Sequence, residues 1–275
     1  MIIRSIRMQI SSMFKKKEVI LIYFVLMIFV SINFISNMML NKDIIYITEM
    51  PDLVKKLTLS DWSLYGYYLM QYYPLLVVVP TACAYLSDRD TKIQTYIQSR
   101  TGSRNYWYGK MITVFFTTFI LFSLPFFIEM ILSFICFCAE SSGDPSGFNY
   151  LATIENESRY FLSDIFIKNK LLYSIINIFI FGAVSGILAL FNFSVTTLPF
   201  MKYKIFAFFP IYLMLYLISI LNTAFKPAYT INYSIILRMF SDGKKNYMLY
   251  GVVLIFLVIL SAFLIEIKIR RDEII

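Results

Sequence analysis

The sequence contains no histidine, which removes imidazole as a general acid or base, as a metal ligand and as a switch titrating near neutral pH. Cysteine is scarce: Cys83 lies inside one apolar run, and Cys136 and Cys138 lie in and just after another. That spacing offers neither a zinc pattern nor a Cys-x-x-Cys redox pair, and it indicates no disulfide scaffold. A phosphate-cradling loop is missing as well. Gly109-Lys110 has the tail of a P-loop, but Arg104 stands where the first glycine is required and Met111 where Ser or Thr is required, so ATP hydrolysis by a P-loop mechanism is excluded. Neither Gly-x-Ser-x-Gly nor His-Glu-x-x-His occurs. Charge is also sparse, at 15% of residues, against about 25% in an ordinary soluble domain.

Apolar side chains take the place of these groups: 59% of the 275 residues are hydrophobic and 18% aromatic, with mean hydropathy +0.70. The expected fold is an all-α polytopic membrane protein, a single transmembrane domain over 1–275. Its spans are expected at about 19–40, 67–86, 111–137, 171–191, 205–221 and 248–265, each a run of roughly the length a bilayer requires. Ile3, Ile6, Ile10, Met13 and Phe14 recur at helical spacing, with Arg4, Arg7 and Lys15-Lys16-Lys17 on or beyond the other face. This pattern predicts an N-terminal interfacial helix with its cations near anionic headgroups. The first run lacks the short core and small-residue cleavage site of a signal peptide and reads as a retained anchor.

The net charge of +8 is explained by its distribution, not by nucleic acid. The N-terminus, the 87–110 and 192–204 connections and the tail carry 15 of the 25 Lys and Arg. On the positive-inside rule both termini face the cytoplasm. Residues 41–68 and 138–170 then read as outer loops, the second acidic and with a turn at 143–147. The ten-residue apolar piece 231–240 is too short to cross and fits a short outer or re-entrant helix.

Within the spans, Pro74 and Pro80 predict local bending of the second, and Gly182 and Gly186 permit a close helix contact. Glu129 lies about 27 Å along its helix from Met111, near the outer interface. An interfacial or packing role is the expectation there, with a substrate or proton site as the alternative. Tyr65, Tyr67, Tyr68, Tyr72 and Tyr73 cluster near the outer end of the second span, where they line an exit or form an aromatic belt.

The 87–110 connection holds Ile93, Tyr96 and Ile97 at i, i+3, i+4 beside Asp90, Lys92 and Gln94. That pattern is a short amphipathic helix along the membrane or in a partner's groove; an ordinary basic loop holding topology is the other reading. Asp88 and Asp90 are followed by Thr91, Thr95, Ser99-Arg100, Gly102 and Arg104, then by Tyr108-Gly109-Lys110 entering the third span. With the six spans, the basic N-terminus and the piece before the last span, this segment resembles that of permease subunits of ABC-2 type exporters. The chain departs from the family's pattern at Asp90-Thr91, where a Gly-Thr pair is usual.

The resemblance implies a cytoplasmic coupling helix between spans two and three that docks on a separate cytoplasmic P-loop ATPase. Asp88, Asp90, Ile93, Tyr96, Ile97, Arg100 and Arg104 would be its coupling residues. ATP and Mg would sit in that partner, and this chain would bind no cofactor, hold no metal and catalyse nothing. A second copy or a related permease would complete a path for a peptide or for a hydrophobic or amphipathic compound. Tyr68, Tyr72, Pro74, Pro80 and Glu129 are the candidate path residues. The implied location is the cell membrane, multi-pass, of a bacterium. The competing reading is an accessory or immunity protein that binds a peptide through 138–170 and transports nothing. Single cysteines introduced at Gln94 or Thr101 of a cysteine-free variant test the topology. Impermeant maleimide should label them only after the cells are permeabilised, and labelling of intact cells would place the segment outside.

Overall fold

The computed structural model describes residues 2–44, 52–91, 93–137, 161–199, 201, 203–225, 233–240 and 247–274. Among them the chain is helical and contains no strand. Five helices are long and apolar enough to cross a membrane. They are α2 (Lys17–Leu40), α3 (Leu64–Asp90), α5 (Ser103–Cys136), α7 (Lys170–Thr196) and α10 (Tyr247–Ile274). Around them lie α1 (Ile2–Phe14), α4 (Ile93–Thr101), α6 (Ser163–Lys168), α8 (Phe209–Phe225) and α9 (Tyr233–Ile236). At 17 residues, α8 reaches about 26 Å, short of a hydrocarbon core of about 30 Å. A 3-10 segment, Lys204–Phe208, leads into it.

α2 buries Val19, Ile22, Leu26, Val30, Asn33 and Asn37, a helical stripe against α3 and α5. Ile20, Phe24, Ile28 and Ile35 are exposed on its outer face. Since a bilayer is as apolar as such a face, helix association depends on close fit more than on burial. Gly182 and Gly186 of α7 supply that fit against α5. A Cβ on Gly182 would lie 2.0 Å from Ser123 Oγ, and one on Gly186 would lie 2.8 Å from the Phe115 ring. Beside this contact Tyr73 of α3 packs 5.9 Å from Phe122 and 5.5 Å from Phe181, ring centre to ring centre. Its hydroxyl lies 3.0 Å from Ser185 Oγ. Pro74 and Pro80 both lie inside the continuous helix α3.

Two polar ends bound this apolar middle. One holds α1, the lysines at 15–17, α4, the start of α5 and the end of α10, and we call it the basic end. At the other, residues 52–63 fold back into the bundle, with Leu53, Val54, Leu57 and Leu59 buried. The sequence reading made 41–68 an outer loop because of its charges; the described part packs inward because these four apolar side chains alternate with the charges. Arg238 donates to the carbonyls of Ser60 (3.1 Å) and Asp61 (2.8 Å) and pairs with Asp61 at 2.6 Å. Burial pulls its guanidinium below the ordinary pKa, and the Asp61 carboxylate opposes that shift. Met239 N–H donates to Leu59 O (2.8 Å), and Asp61 N–H to Met239 O (2.9 Å).

Of the expected outer helix over 231–240, residues 231–232 lie outside the described residues, and among the rest only Tyr233–Ile236 is helical, because the backbone beyond it pairs with the folded-back segment. The spans also run past their predicted limits. α5 begins eight residues before Met111 and takes in Tyr106, Trp107 and Lys110, all buried. Of the acidic 138–170 interval, 138–160 lies outside the described residues, and α6 occupies its far end.

The return of 52–63 depends on Gly66, where a Cβ would sit 1.9 Å from the Thr58 carbonyl oxygen. Gly66→Ala should cost about 1–3 kcal/mol through forced backbone displacement. Gly251→Ala, where a Cβ meets nothing within 4 Å, should be neutral or stabilising. Thermal unfolding of the purified variants separates the two.

Candidate functional site

At the basic end α4 is a nine-residue helix carried between the ends of two spanning helices. Thr91 caps the end of α3, its Oγ1 donating to Ser87 O at 2.9 Å. Gly102, at φ 81°, makes the left-handed turn from α4 into α5 that other residues adopt only with strain. Ile93 and Tyr96 are exposed, at 47% and 57%, and Ile97 packs half-buried against the core. The Arg100 guanidinium lies 4.3 Å above the Tyr96 ring, a cation–π contact that holds the ring on the outer face. Gln98 Nε2 reaches Asp272 Oδ2 at 3.4 Å, tying α4 to the end of α10.

The two aspartates expected to act together part company. Asp90 is exposed and lies 3.5 Å from Arg89. Asp88 is buried, with Lys16 Nζ 2.8 Å from Oδ1 and Lys110 Nζ 2.5 Å from Oδ2. It thereby joins the α1–α2 joint, the end of α3 and the start of α5. Side-chain exposures of 14% for Lys16, 9% for Asp88 and 3% for Lys110 make this an interior ion group. Its geometry positions α4; it offers nothing to a docking partner.

A second junction lies at the tail, which the cations Lys268, Arg270 and Arg271 present in sequence as a basic end. Asp272 accepts from Lys268 (2.6 Å) and from the Trp107 indole N–H (3.1 Å). Glu266 accepts from the Tyr108 hydroxyl (3.2 Å) and pairs with Arg104 (3.7 Å) and Arg270 (3.5 Å). Arg104 is thus turned toward α10. The acidic residues spaced among Lys268, Arg270 and Arg271, with Lys268 and Asp272 one turn apart, were the available signal.

The candidate path residues do not form one surface. Tyr68 and Tyr72 are exposed, Pro80 is buried, and Pro74 lines a cleft of about 350 Å³ between α3, α8 and α9. Gln71, Tyr212, Tyr216, Tyr233 and Arg238 line it with Pro74, so it presents phenol rings, an amide and one guanidinium. Glu129 is not in that lining. It is 1% exposed, and its Oε1 accepts from Asn33 Nδ2 (2.7 Å), Thr58 N–H (2.9 Å) and Thr58 Oγ1 (2.7 Å). Asn33 also donates to Lys56 O at 2.9 Å. Glu129 therefore clamps residues 56–58 to α2 and α5. Among the described residues no cluster of three metal-ligating side chains occurs.

Asp88→Ala leaves two lysines without a counter-charge in a buried site and should lower stability by about 3–5 kcal/mol. Asp90→Ala, on an exposed side chain, should change it by under about 0.5 kcal/mol. Unfolding midpoints in one detergent decide between this ranking and a shared surface role. In comparisons with family models, curated proteins and solved structures, the chain matches none.

Proposed function

We propose that the chain is the membrane subunit of an ATP-driven exporter, similar to ABC-2 type permeases, and that α4 is the helix through which a cytoplasmic P-loop ATPase drives it. The observation that carries this reading is α4 itself. It offers Ile93 and Tyr96 outward from a base held by α3 and α5 and tied to α10 through Asp272. A membrane subunit that lacks a P-loop requires such a point of attachment.

In this reading the chain crosses six times, with α8 and its leading 3-10 turn as the fifth crossing. Two contacts support that count. The Arg89 guanidinium holds Met201 O (3.3 Å) at the basic end, and Met239 N–H holds Leu59 O (2.8 Å) at the other. The intervening chain has to travel from one end to the other. Both termini then lie at the basic end, on the cytoplasmic side of a cell membrane, bacterial in the resemblance.

The cleft between α3 and α8 is the proposed cargo surface. Its mixture of phenol rings with Gln71 and Arg238 suits an amphipathic passenger, peptide or otherwise. Gln71, exposed on a spanning helix, is costly against lipid alone. It favours a second permease copy, or a related one, across this face. ATP and Mg belong to the partner; this chain contributes shape and attachment, and no hydrolysis.

The test is a purified complex of the full chain with its cytoplasmic ATPase in proteoliposomes. Ile93→Asp with Tyr96→Asp, both on exposed positions, should abolish ATPase binding and lower ATP-dependent efflux at least tenfold, with unfolding unchanged. Ile97→Asp is unsuitable because that side chain packs against the core. Unchanged efflux in the double variant, or a stable native complex without a P-loop protein, would sink the proposal.

A further inference from the structure

A groove of about 280 Å³ runs between the α1–α2 joint and α5. Phe14, Val19, Ile20 and Tyr23 form one wall, and Ile120 and Leu124 the other. Lys15, Lys16, Lys17 and Glu18 are the chain between the lining residues Phe14 and Val19, which puts three cations and one carboxylate near one end of the groove. Lys16 is taken by Asp88. Lys15 and Lys17 are exposed, and neither has an acidic partner among the described residues. At about 100° per residue around α2, Glu18 lies roughly 150° and Lys17 roughly 110° from the groove, and the longer lysine side chain can bend back toward it where the glutamate cannot.

The groove also has the depth of one leaflet. Lys110 and Lys16 meet on Asp88 and mark the level of the charged joint. Ile120 stands ten residues further along α5, about 15 Å deeper, which is half of a hydrocarbon core of about 30 Å. An occupant thus meets unpaired cations at the membrane surface and apolar walls below them.

From this we infer that the groove is a discrete binding site for an anionic phospholipid, with the phosphate on Lys15 and Lys17 and an acyl chain along Ile20, Tyr23, Ile120 and Leu124. A second groove at the same end supplies the internal contrast. It measures about 420 Å³ and is lined by Tyr108, Ile112, Phe115, Phe116, Ile187 and Val258, among others. The cations beside Tyr108 there, Arg104 and Arg270, lie on Glu266. Both guanidiniums there lie on the Glu266 carboxylate, whereas Lys15 and Lys17 have no acidic partner among the described residues, so that groove should show the weaker headgroup preference. The assignment to the first groove follows from charge and shape and stands apart from the transport reading.

Native mass spectrometry of the full chain, released from nanodiscs of phosphatidylglycerol and phosphatidylcholine in equal amounts, tests the site. The wild type should retain one phosphatidylglycerol with about a tenfold preference, the scale expected of lysines at an anionic surface. Lys15→Gln with Lys17→Gln should bring the two lipids to parity, and Lys15→Arg with Lys17→Arg should keep the preference. Ile120→Trp, which fills the groove, should remove the retained lipid, whereas Arg270→Gln should leave it in place. Soluble glycerophosphoglycerol should not displace it. Equal retention by the wild type, a preference that survives either the Gln pair or Ile120→Trp, or displacement by the headgroup alone would each overturn the assignment. Matched unfolding temperatures for the Gln and Arg pairs exclude misfolding as the cause of a loss.

Discussion

A carboxylate removed from water has to find its counter-charges or donors inside the protein, and this requirement organises both ends of the molecule. At the basic end Asp88 draws Lys16 and Lys110 onto itself and so fixes where three helices begin or end. At the opposite end Glu129 gathers Asn33 and Thr58. Nearby Asp52 holds Lys170 at 2.6 Å, tying the folded-back segment to the first turn of α7. Between these ends the helices associate chiefly by shape, through glycines against α5 and packed rings around Tyr73, with the Tyr73–Ser185 contact and the Asn192–Thr81 hydrogen bond joining α3 to α7. The division is physical: ion groups are placed where the chain turns, and among the described residues the lipid-facing length between the two ends carries no unpaired one.

The polar junctions at the basic end differ in depth, and the difference bears on how force would pass through them. The Asp88 group is interior, so the α2, α3 and α5 ends move as one body or not at all. The junction at Asp272 is half-exposed, and its link to α4 is a single amide contact of 3.4 Å. α4 is therefore held firmly through its covalent ends and weakly along its side. A load applied at Tyr96 would reach α3 and α5 directly, and α10 through Gln98 and through the contacts that Trp107, Tyr108 and Arg104 of α5 make with it. In the proposed exporter this makes α3 the principal lever, because the same helix lines the cleft at its other end.

Much of this was legible from residue order. Apolar runs long enough to span mark their own positions, and the pattern Ile93, Tyr96, Ile97 marks α4 without any knowledge of its surroundings. The rest was hidden for definite reasons. Residues 52–63 carry enough charge to read as a loop, and only their contacts reveal that Leu53, Val54, Leu57 and Leu59 are core. Asp88 and Asp90 look alike in sequence; what separates them is Lys16, 72 residues away, a partner that no local pattern announces. Glu129 stood out as an acidic residue in an apolar run, and packing was its expected role. Its donors, from α2 and from the supposed loop, could not be named in advance.

The same ion groups change the meaning of the charge count that oriented the chain. Fifteen Lys and Arg were assigned to one side, yet a count treats all of them as available to the membrane. Lys16 and Lys110 lie on Asp88, Arg104 and Arg270 on Glu266, and Lys268 on Asp272. Each of these lies on a carboxylate, two cations sharing Asp88 and two sharing Glu266, and so adds less to the field a lipid headgroup feels than a lysine with no acidic partner does. Of the others, Lys15 and Lys17, at the joint of α1 and α2, stand beside an apolar groove. The basic end thus uses its cations in two ways: those drawn onto Asp88, Glu266 and Asp272 lock helix ends together, and the outward-facing Lys15 and Lys17 give the surface a local preference that total charge does not reveal.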